Sequence, residues 1–243
     1  WEAELDGADA VVNLAGESVA GGRWTPARKL ALIKSRVEST RALVAAIGRA
    51  KTRPKALINA SAVGYYGGTP AGDCPESAPQ GSDFLAALCG QWEREALAAR
   101  AHGTRVAALR FGVVLEKDGG ALGRMWLPFK LGLGGRLGSG TQPFPWVHRD
   151  DALDAILFAL DAPLEGPVNV VAPEPASNAE FVRALGRALH RPAVLPSPAF
   201  ALRLARGEMS TLLLDGQRAL PRKLLEAGYA FKYPRLDGAL AAI

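Results

Sequence analysis

Three short apolar runs, each separated from the next by a helix-length stretch, constrain this chain more than anything else in it. They are Asp9-Ala-Val-Val-Asn-Leu14, Ala56-Leu-Ile-Asn-Ala60 and Arg105-Val-Ala-Ala-Leu-Arg110. After the first run, Thr25 suits an N-cap and Pro26 a first helical turn. Leu30, Ile33, Val37, Val44 and Ile47 then recur at helical spacing as one buried stripe. After the second run comes a Gly- and Pro-rich loop, then a helix opened by Ser82 with Leu85, Leu88, Trp92 and Leu97 on its buried side. Strands joined by helical crossovers pair in parallel, and a parallel sheet needs helices on both faces. The expected fold class is α/β, a doubly wound parallel sheet.

Past Gly112 the pattern changes. Asp150 or Asp151 is positioned to cap a helix carrying Leu153, Ile156, Leu157 and Leu160. Pro167-Val-Asn-Val-Val171 reads as a strand, Ser177 opens a helix with Phe181, Leu185 and Leu189, and 192–243 reads as short helices broken by Pro and Gly. The division expected is residues 1–118 as a partial dinucleotide-binding domain and 119–243 as a smaller α/β lobe interleaved with it. No apolar run approaches the roughly 18–20 residues of a membrane span, so no membrane partner is expected. The net charge of +5 is scattered among 24 acids, without the basic and aromatic pattern of nucleic-acid binding. Cys74 and Cys89 make neither a disulfide framework nor a metal site, which suits a reducing, cytoplasmic setting.

Asn13, Leu14, Ala15 and Gly16 form a polar, small-residue exit from the first strand, where a ligand approaches the backbone closely. In nucleotide-binding α/β folds that position lies under the cofactor. Only Trp1 to Ala8 precede the run, too few for a glycine-rich strand-turn-helix; about 50–60 further residues upstream are expected to carry it, and a dinucleotide is expected to bind weakly without it. The run Gly132-Leu-Gly-Gly-Arg-Leu-Gly-Ser-Gly140 lacks G-x-G-x-x-G spacing and leads into Thr141-Gln-Pro. It reads as a mobile loop near a pocket.

Several segments together resemble a known family. Asn13-Leu-Ala-Gly16 is similar to the Asn-Ala-Gly turn of short-chain dehydrogenase/reductases. Ser61-Ala-Val-Gly-Tyr-Tyr-Gly67 and Leu109-Arg-Phe-Gly-Val-Val-Leu115 resemble the serine segment and the last cofactor-side strand of their extended, epimerase-like branch. Trp146-Val-His-Arg-Asp150, and Val168-Asn-Val-Val171 before Ser177, resemble its substrate lobe. Leu14-Ala-Gly-Glu17, Pro128-Phe-Lys-Leu-Gly-Leu-Gly-Gly135, Gly207-Glu208-Met209 and Ala227-Gly-Tyr-Ala-Phe-Lys-Tyr-Pro234 narrow the resemblance to an NADP-binding epimerase family of cell-division-inhibitor-like proteins. The resemblance implies a Rossmann-like fold, NADP (or NAD) as cofactor, and redox or epimerase chemistry on a small carbonyl or sugar-like substrate. It implies cofactor contacts at Asn13, Leu14, Ala15, Gly16, Arg36, Gly112, Val113 and Val114, and substrate contacts at Glu17 and His148.

The chain departs from the superfamily in one respect that bears on chemistry. The usual Tyr-x-x-x-Lys pair, a proton-transferring phenol and the lysine that lowers its pKa, is absent. By helix register Leu85 and Cys89 stand there. Any proton transfer is then left to Ser61, Tyr65, Tyr66, His148 or the substrate itself, and the expected route is Ser61 with Tyr65 or Tyr66 beside it. Each candidate has a plainer reading as well: packing for Ser61, Tyr65 and Tyr66, structural hydrogen bonding for His148, a solvated helix position for Arg36, a cap for Glu17. The alternative function is a nucleotide-sensing or interaction protein that binds without turnover.

Overall fold

The computed structural model describes residues 1–68 and 72–243; Thr69, Pro70 and Ala71, inside the expected Gly- and Pro-rich loop, lie outside the described residues. In chain order the elements are β1 (Ala10–Asn13), α1 (Pro26–Ile33), a π-helical turn (Lys34–Glu38), α2 (Ser39–Arg49), β2 (Ala56–Ala62), β3 (Asp73–Cys74), α3 (Phe84–Leu97), β4 (Arg105–Phe111), β5 (Val113–Leu115) and α4 (Gly120–Lys130). Then follow β6 (Pro143–Phe144), β7 (Trp146–His148), α5 (Arg149–Asp161), β8 (Gly166–Val170), β9 (Ala176–Ser177), α6 (Asn178–Ala188), α7 (Ala199–Arg206), α8 (Thr211–Leu214), β10 (Arg218–Ala219), α9 (Arg222–Glu226) and α10 (Leu236–Ala241).

The central sheet runs β1-β2-β4-β8, every pair parallel, as the sequence pattern requires. Consecutive residues of a strand face opposite sides. Leu57 and Val106 therefore pack with Val44, Ile47 and Ala96 under α2 and α3, while Ile58 and Leu109 pack with Ala152, Ala155 and Ala159 of α5. Small residues let α5 lie close to the sheet. That corrects the expected leucine stripe, because Leu153 and Leu157 are exposed. A second core joins α4, α6 and α10 through Leu122, Phe129, Trp146, Phe181, Leu185 and Leu240.

Four other expectations are revised. Val168 pairs with Leu109, so the strand assigned to the substrate lobe belongs to the central sheet, and the chain leaves the sheet at 112 only to return at 166. The α3 cap is Asp83, whose carboxylate accepts from the Ala86 amide, rather than Ser82. The α5 cap is His148 rather than Asp150 or Asp151. The glycine run 132–140 is strapped by backbone hydrogen bonds to 195–197; a Cβ on Gly135 would meet the Leu195 carbonyl oxygen at 1.8 Å.

The π turn explains a further difference. Leu32 is fully buried and Leu30 half-exposed, the reverse of the expected stripe. A π turn closes over five residues instead of four, so Leu32 and Val37 share the inward face across it. Everything N-terminal to the turn is rotated out of the simple helical phase.

Candidate functional site

Parallel pairing brings the carboxyl ends of all four central strands to one edge, the place where open α/β sheets take ligands. At β1 the last residue, Asn13, is buried, and its amide nitrogen donates to Thr40 Oγ1 (3.0 Å) and to Asn59 Oδ1 (2.6 Å). Its Oδ1 accepts the Ala15 amide at 3.2 Å. Asn13 thus ties the strand end to α2 and β2 and shapes the turn, its polar atoms engaged within the protein. Leu14, Ala15 and Gly16 leave that turn exposed.

Arg36 sits in the π turn and lies across this exit. A Cβ on Gly16 would come within 2.9 Å of its guanidinium carbon, so a larger residue there would displace the guanidinium. The guanidinium donates to the Glu17 carbonyl oxygen (2.8 Å) and faces the Trp92 ring at 5.2 Å. It forms no ion pair among the described residues. Burial lowers its pKa, and nearby Arg28 adds to that. The Glu17 carboxylate is paired with Arg28, and its amide is held by Ser35 Oγ at 3.2 Å, so Glu17 braces the loop leaving β1.

The end of β2 holds Ser61, and the turn after it holds Tyr65 and Tyr66; the three are not equivalent. Ser61 is buried and donates to Glu93 Oε1 at 2.6 Å. Glu93 accepts both Nε and Nη2 of Arg110, each at 2.8 Å. Arg110 Nη1 donates to the Tyr66 hydroxyl (3.0 Å), which donates in turn to Asn169 Oδ1 (2.7 Å). Burial pushes the Tyr66 phenol up to about 12. Burial pulls Arg110 down, but the Glu93 carboxylate outweighs it and the pKa is raised. The expected catalytic positions Ser61 and Tyr66 are therefore members of a sealed charged network. Tyr65 alone keeps its hydroxyl out of it: the half-buried ring lies 3.5 Å from the Arg110 guanidinium carbon, and its oxygen has no hydrogen-bond partner among the described residues.

Leu85 and Cys89 lie against the turn after β2: a Cβ on Gly64 would touch Leu85 Cβ at 3.4 Å and Cys89 Sγ at 3.8 Å. Burial pushes the Cys89 thiol up to about 12, so it is neutral. Glu93, one turn further along the same face, went unnoticed in the sequence, as did Arg110 as a functional group. The signal was a charge on the inward face of a helix facing a charge in an apolar strand. At β4, Gly112 is enclosed, since a Cβ would meet the Pro145 carbonyl oxygen at 2.6 Å, and the Val113 amide donates to that same oxygen at 2.6 Å. Val114 packs against the α5-side core. Gly112, Val113 and Val114 therefore spend their backbone and packing largely on joining β5 to β7.

His148 is buried, not presented to the edge. Its Nδ1 accepts the Asp150 amide at 3.1 Å, and its ring lies 3.9 Å from that of Tyr233. Burial lowers its pKa despite Asp150. Asp151, also buried, accepts the Lys232 and Tyr233 amides at 2.7 and 3.0 Å. Together they fasten the C-terminal segment to α5. A lowered folded pKa means the unfolded chain takes up the proton first. Stability is then complete above about pH 6.5 and falls as the pH drops from there toward the folded pKa. His148→Ala should cost about 1 kcal/mol of capping and flatten that part of the pH profile, as read by urea midpoints on either side of it.

The NAD dependent epimerase/dehydratase family matches residues 2–172, and a domain of unknown function, DUF1731, matches 197–243. The epimerase family protein SDR39U1 homolog, chloroplastic, of Arabidopsis thaliana is 44% identical over 246 residues, covering 100% of this chain and 70% of the relative. Epimerase family protein YfhF of Bacillus subtilis is 42% identical, covering 100% of this chain and 80% of its own. Human SDR39U1, crystallised with NADPH, superposes with a TM-score of 0.93 at 40% identity, over 98% of this chain and 82% of that one. A nucleoside-diphosphate sugar epimerase from Corynebacterium glutamicum gives 0.80 at 34%, over 99% and 47%. With this sheet, this strand edge and these relatives, the chain belongs to the NAD-dependent epimerase/dehydratase family, in the branch of the SDR39U1-like epimerase family proteins.

Proposed function

We propose that this protein binds NADP(H) across the carboxyl ends of its parallel strands and transfers hydride to or from a small carbonyl or sugar-like substrate. The observation that carries the proposal is Arg36: a half-buried cation with no acidic partner among the described residues, laid over a glycine at a strand exit. A planar donor fork in that position fits a ribose or phosphate oxygen. The NADPH bound to human SDR39U1, a relative at 40% identity, supports the choice of cofactor. When bound, the nicotinamide supplies or accepts the hydride. Leu14, Ala15 and Gly16 would offer exposed backbone to the cofactor, and Tyr65 has the free hydroxyl suited to moving a proton.

Arg36→Ala is expected to weaken NADPH binding by about 1–3 kcal/mol, the scale of a charge-assisted hydrogen bond. Calorimetry on a variant with an unchanged melting profile reads it, and equal affinity would return Arg36 to a structural role.

A second reading, a nucleotide-sensing protein without turnover, is favoured by Leu85 and neutral Cys89 in place of a phenol and an ammonium. NADPH oxidation against a panel of carbonyl compounds and nucleotide sugars separates the two. Turnover with any member supports the enzyme, and tight binding with none supports the sensor.

A further inference from the structure

Half of the large apolar side chains that stand exposed among the described residues lie on one part of the lobe. Leu127, Leu131 and Leu133 come from the end of α4 and the loop after it; Val194, Leu195, Phe200 and Leu204 come from the segment leading into and through α7. These stretches lie side by side: Arg191 Nε donates to the Lys130 carbonyl oxygen at 3.0 Å, and the Leu195 amide to that of Gly134 at 3.0 Å. Helix α7 contains no buried residue, although Phe200 and Leu204, one turn apart, are 74% and 78% exposed. A surface helix ordinarily turns such a pair inward. Its backbone is nevertheless anchored, because Arg23 donates to the carbonyl oxygens of Leu204 and Ala205.

The charge of this region is one-sided. Residues 119–149 and 181–207 contain no Asp or Glu, while they carry nine Lys and Arg. Five of these, Lys130, Arg136, Arg191, Arg203 and Arg206, are exposed and form no ion pair among the described residues. A second copy of the chain seated on this face by two-fold symmetry would set the same cations against each other. The surface is built of a short helix and strapped loops, with protruding aliphatic and aromatic tips between arginines. Apolar residues that enter an interface, flanked by cations that stay at headgroup level, are the pattern of a helix lying on an anionic bilayer.

We propose that α7 and the adjoining end of α4 form a peripheral docking face for an anionic membrane surface. The proposal is independent of the cofactor reading. It is also compatible with the absence, among the described residues, of any helix long and apolar enough to cross a membrane. Co-sedimentation of the full chain tests it, with extruded vesicles of phosphatidylcholine containing about 30% phosphatidylglycerol and with vesicles of phosphatidylcholine alone. The chain is expected to pellet with the first and not the second, and to be released as salt is raised. The double variant Phe200→Ser, Leu204→Ser should partition at least about tenfold less, with an unchanged melting profile because both side chains are exposed. Arg203→Ala with Arg206→Ala should weaken binding and reduce its dependence on phosphatidylglycerol. Three results would overturn the proposal. One is no pelleting of the wild type with anionic vesicles. Another is equal pelleting of the Phe200, Leu204 variant. The third is a concentration-dependent dimer, in light scattering, that the same variant abolishes.

Discussion

Glu93→Ala is expected to destabilise the fold by about 3–5 kcal/mol, the cost of leaving a buried cation unpaired. Arg110 is 2% exposed, and Glu93 takes two of its donors. Without the carboxylate those donors have no replacement, and Ser61 loses its acceptor. The attraction in an exposed pair is worth little; here the effect comes from the charge that remains after its partner is gone. A double variant, Glu93→Leu with Arg110→Met, should therefore recover much of the loss, because apolar groups of similar volume need no partner. Urea unfolding of the two single variants and the double variant reads this as a cycle. If the single variants melt like the wild type, the pair is not sealed from water.

Tyr65→Phe is expected to lower kcat by about 10²–10⁴ in any NADPH-dependent turnover, the usual effect of losing a proton donor. NADPH affinity and the melting profile should hardly change, since the Tyr65 oxygen bonds to nothing among the described residues while its ring stays on Arg110. Tyr66→Phe should behave in the opposite way. It removes a hydroxyl that accepts from Arg110 and donates to Asn169, so it costs about 1–3 kcal/mol of stability through the buried groups it strands. Comparing kcat with the unfolding midpoint in the two variants separates a proton-transferring phenol from a structural one. Wild-type kcat in Tyr65→Phe, with a substrate that turns over, would remove the turn after β2 from the chemistry.

Three strands of the central sheet were legible because apolar runs at helical separations leave few other topologies; the fourth, β8, lies within a residue of its expected ends, but its place beside β4 was not legible. The helix faces were less so. The expected stripe on α5 favoured large side chains, whereas close helix-to-sheet packing selected Ala152, Ala155 and Ala159. In the first helix, a π turn that no simple periodicity encodes exchanged Leu30 for Leu32. The site was legible as a place but not as a set of roles. Ser61, Tyr65 and Tyr66 sit together, as their spacing implies. Which hydroxyl stays free, however, depends on Glu93 and Arg110, tens of residues away in sequence and adjacent only after folding. His148 reads as a site residue through the resemblance of Trp146–Asp150 to a substrate lobe, and its place between a strand and a helix makes it a cap. The uncovered apolar face of α7 is not legible in the sequence either, because run length detects spans, while this face shows itself only through what the fold leaves exposed.

The way the chain leaves the sheet and comes back sets the order in which it can be built. β4 is complete at Phe111, but its neighbour β8 begins only at Gly166, and β3 at Asp73–Cys74 waits for Arg218–Ala219. Asn169, the acceptor of Tyr66, also donates to the carbonyl oxygens of Cys74 and Leu220. The turn bearing Tyr65 and Tyr66 thus acquires its supports from the last third of the polypeptide. Pairings between distant segments form slowly and leave apolar edges uncovered meanwhile. On a ribosome, β1, β2 and β4 emerge long before the residues that lock them, so the half-made sheet is the species most in need of a chaperone.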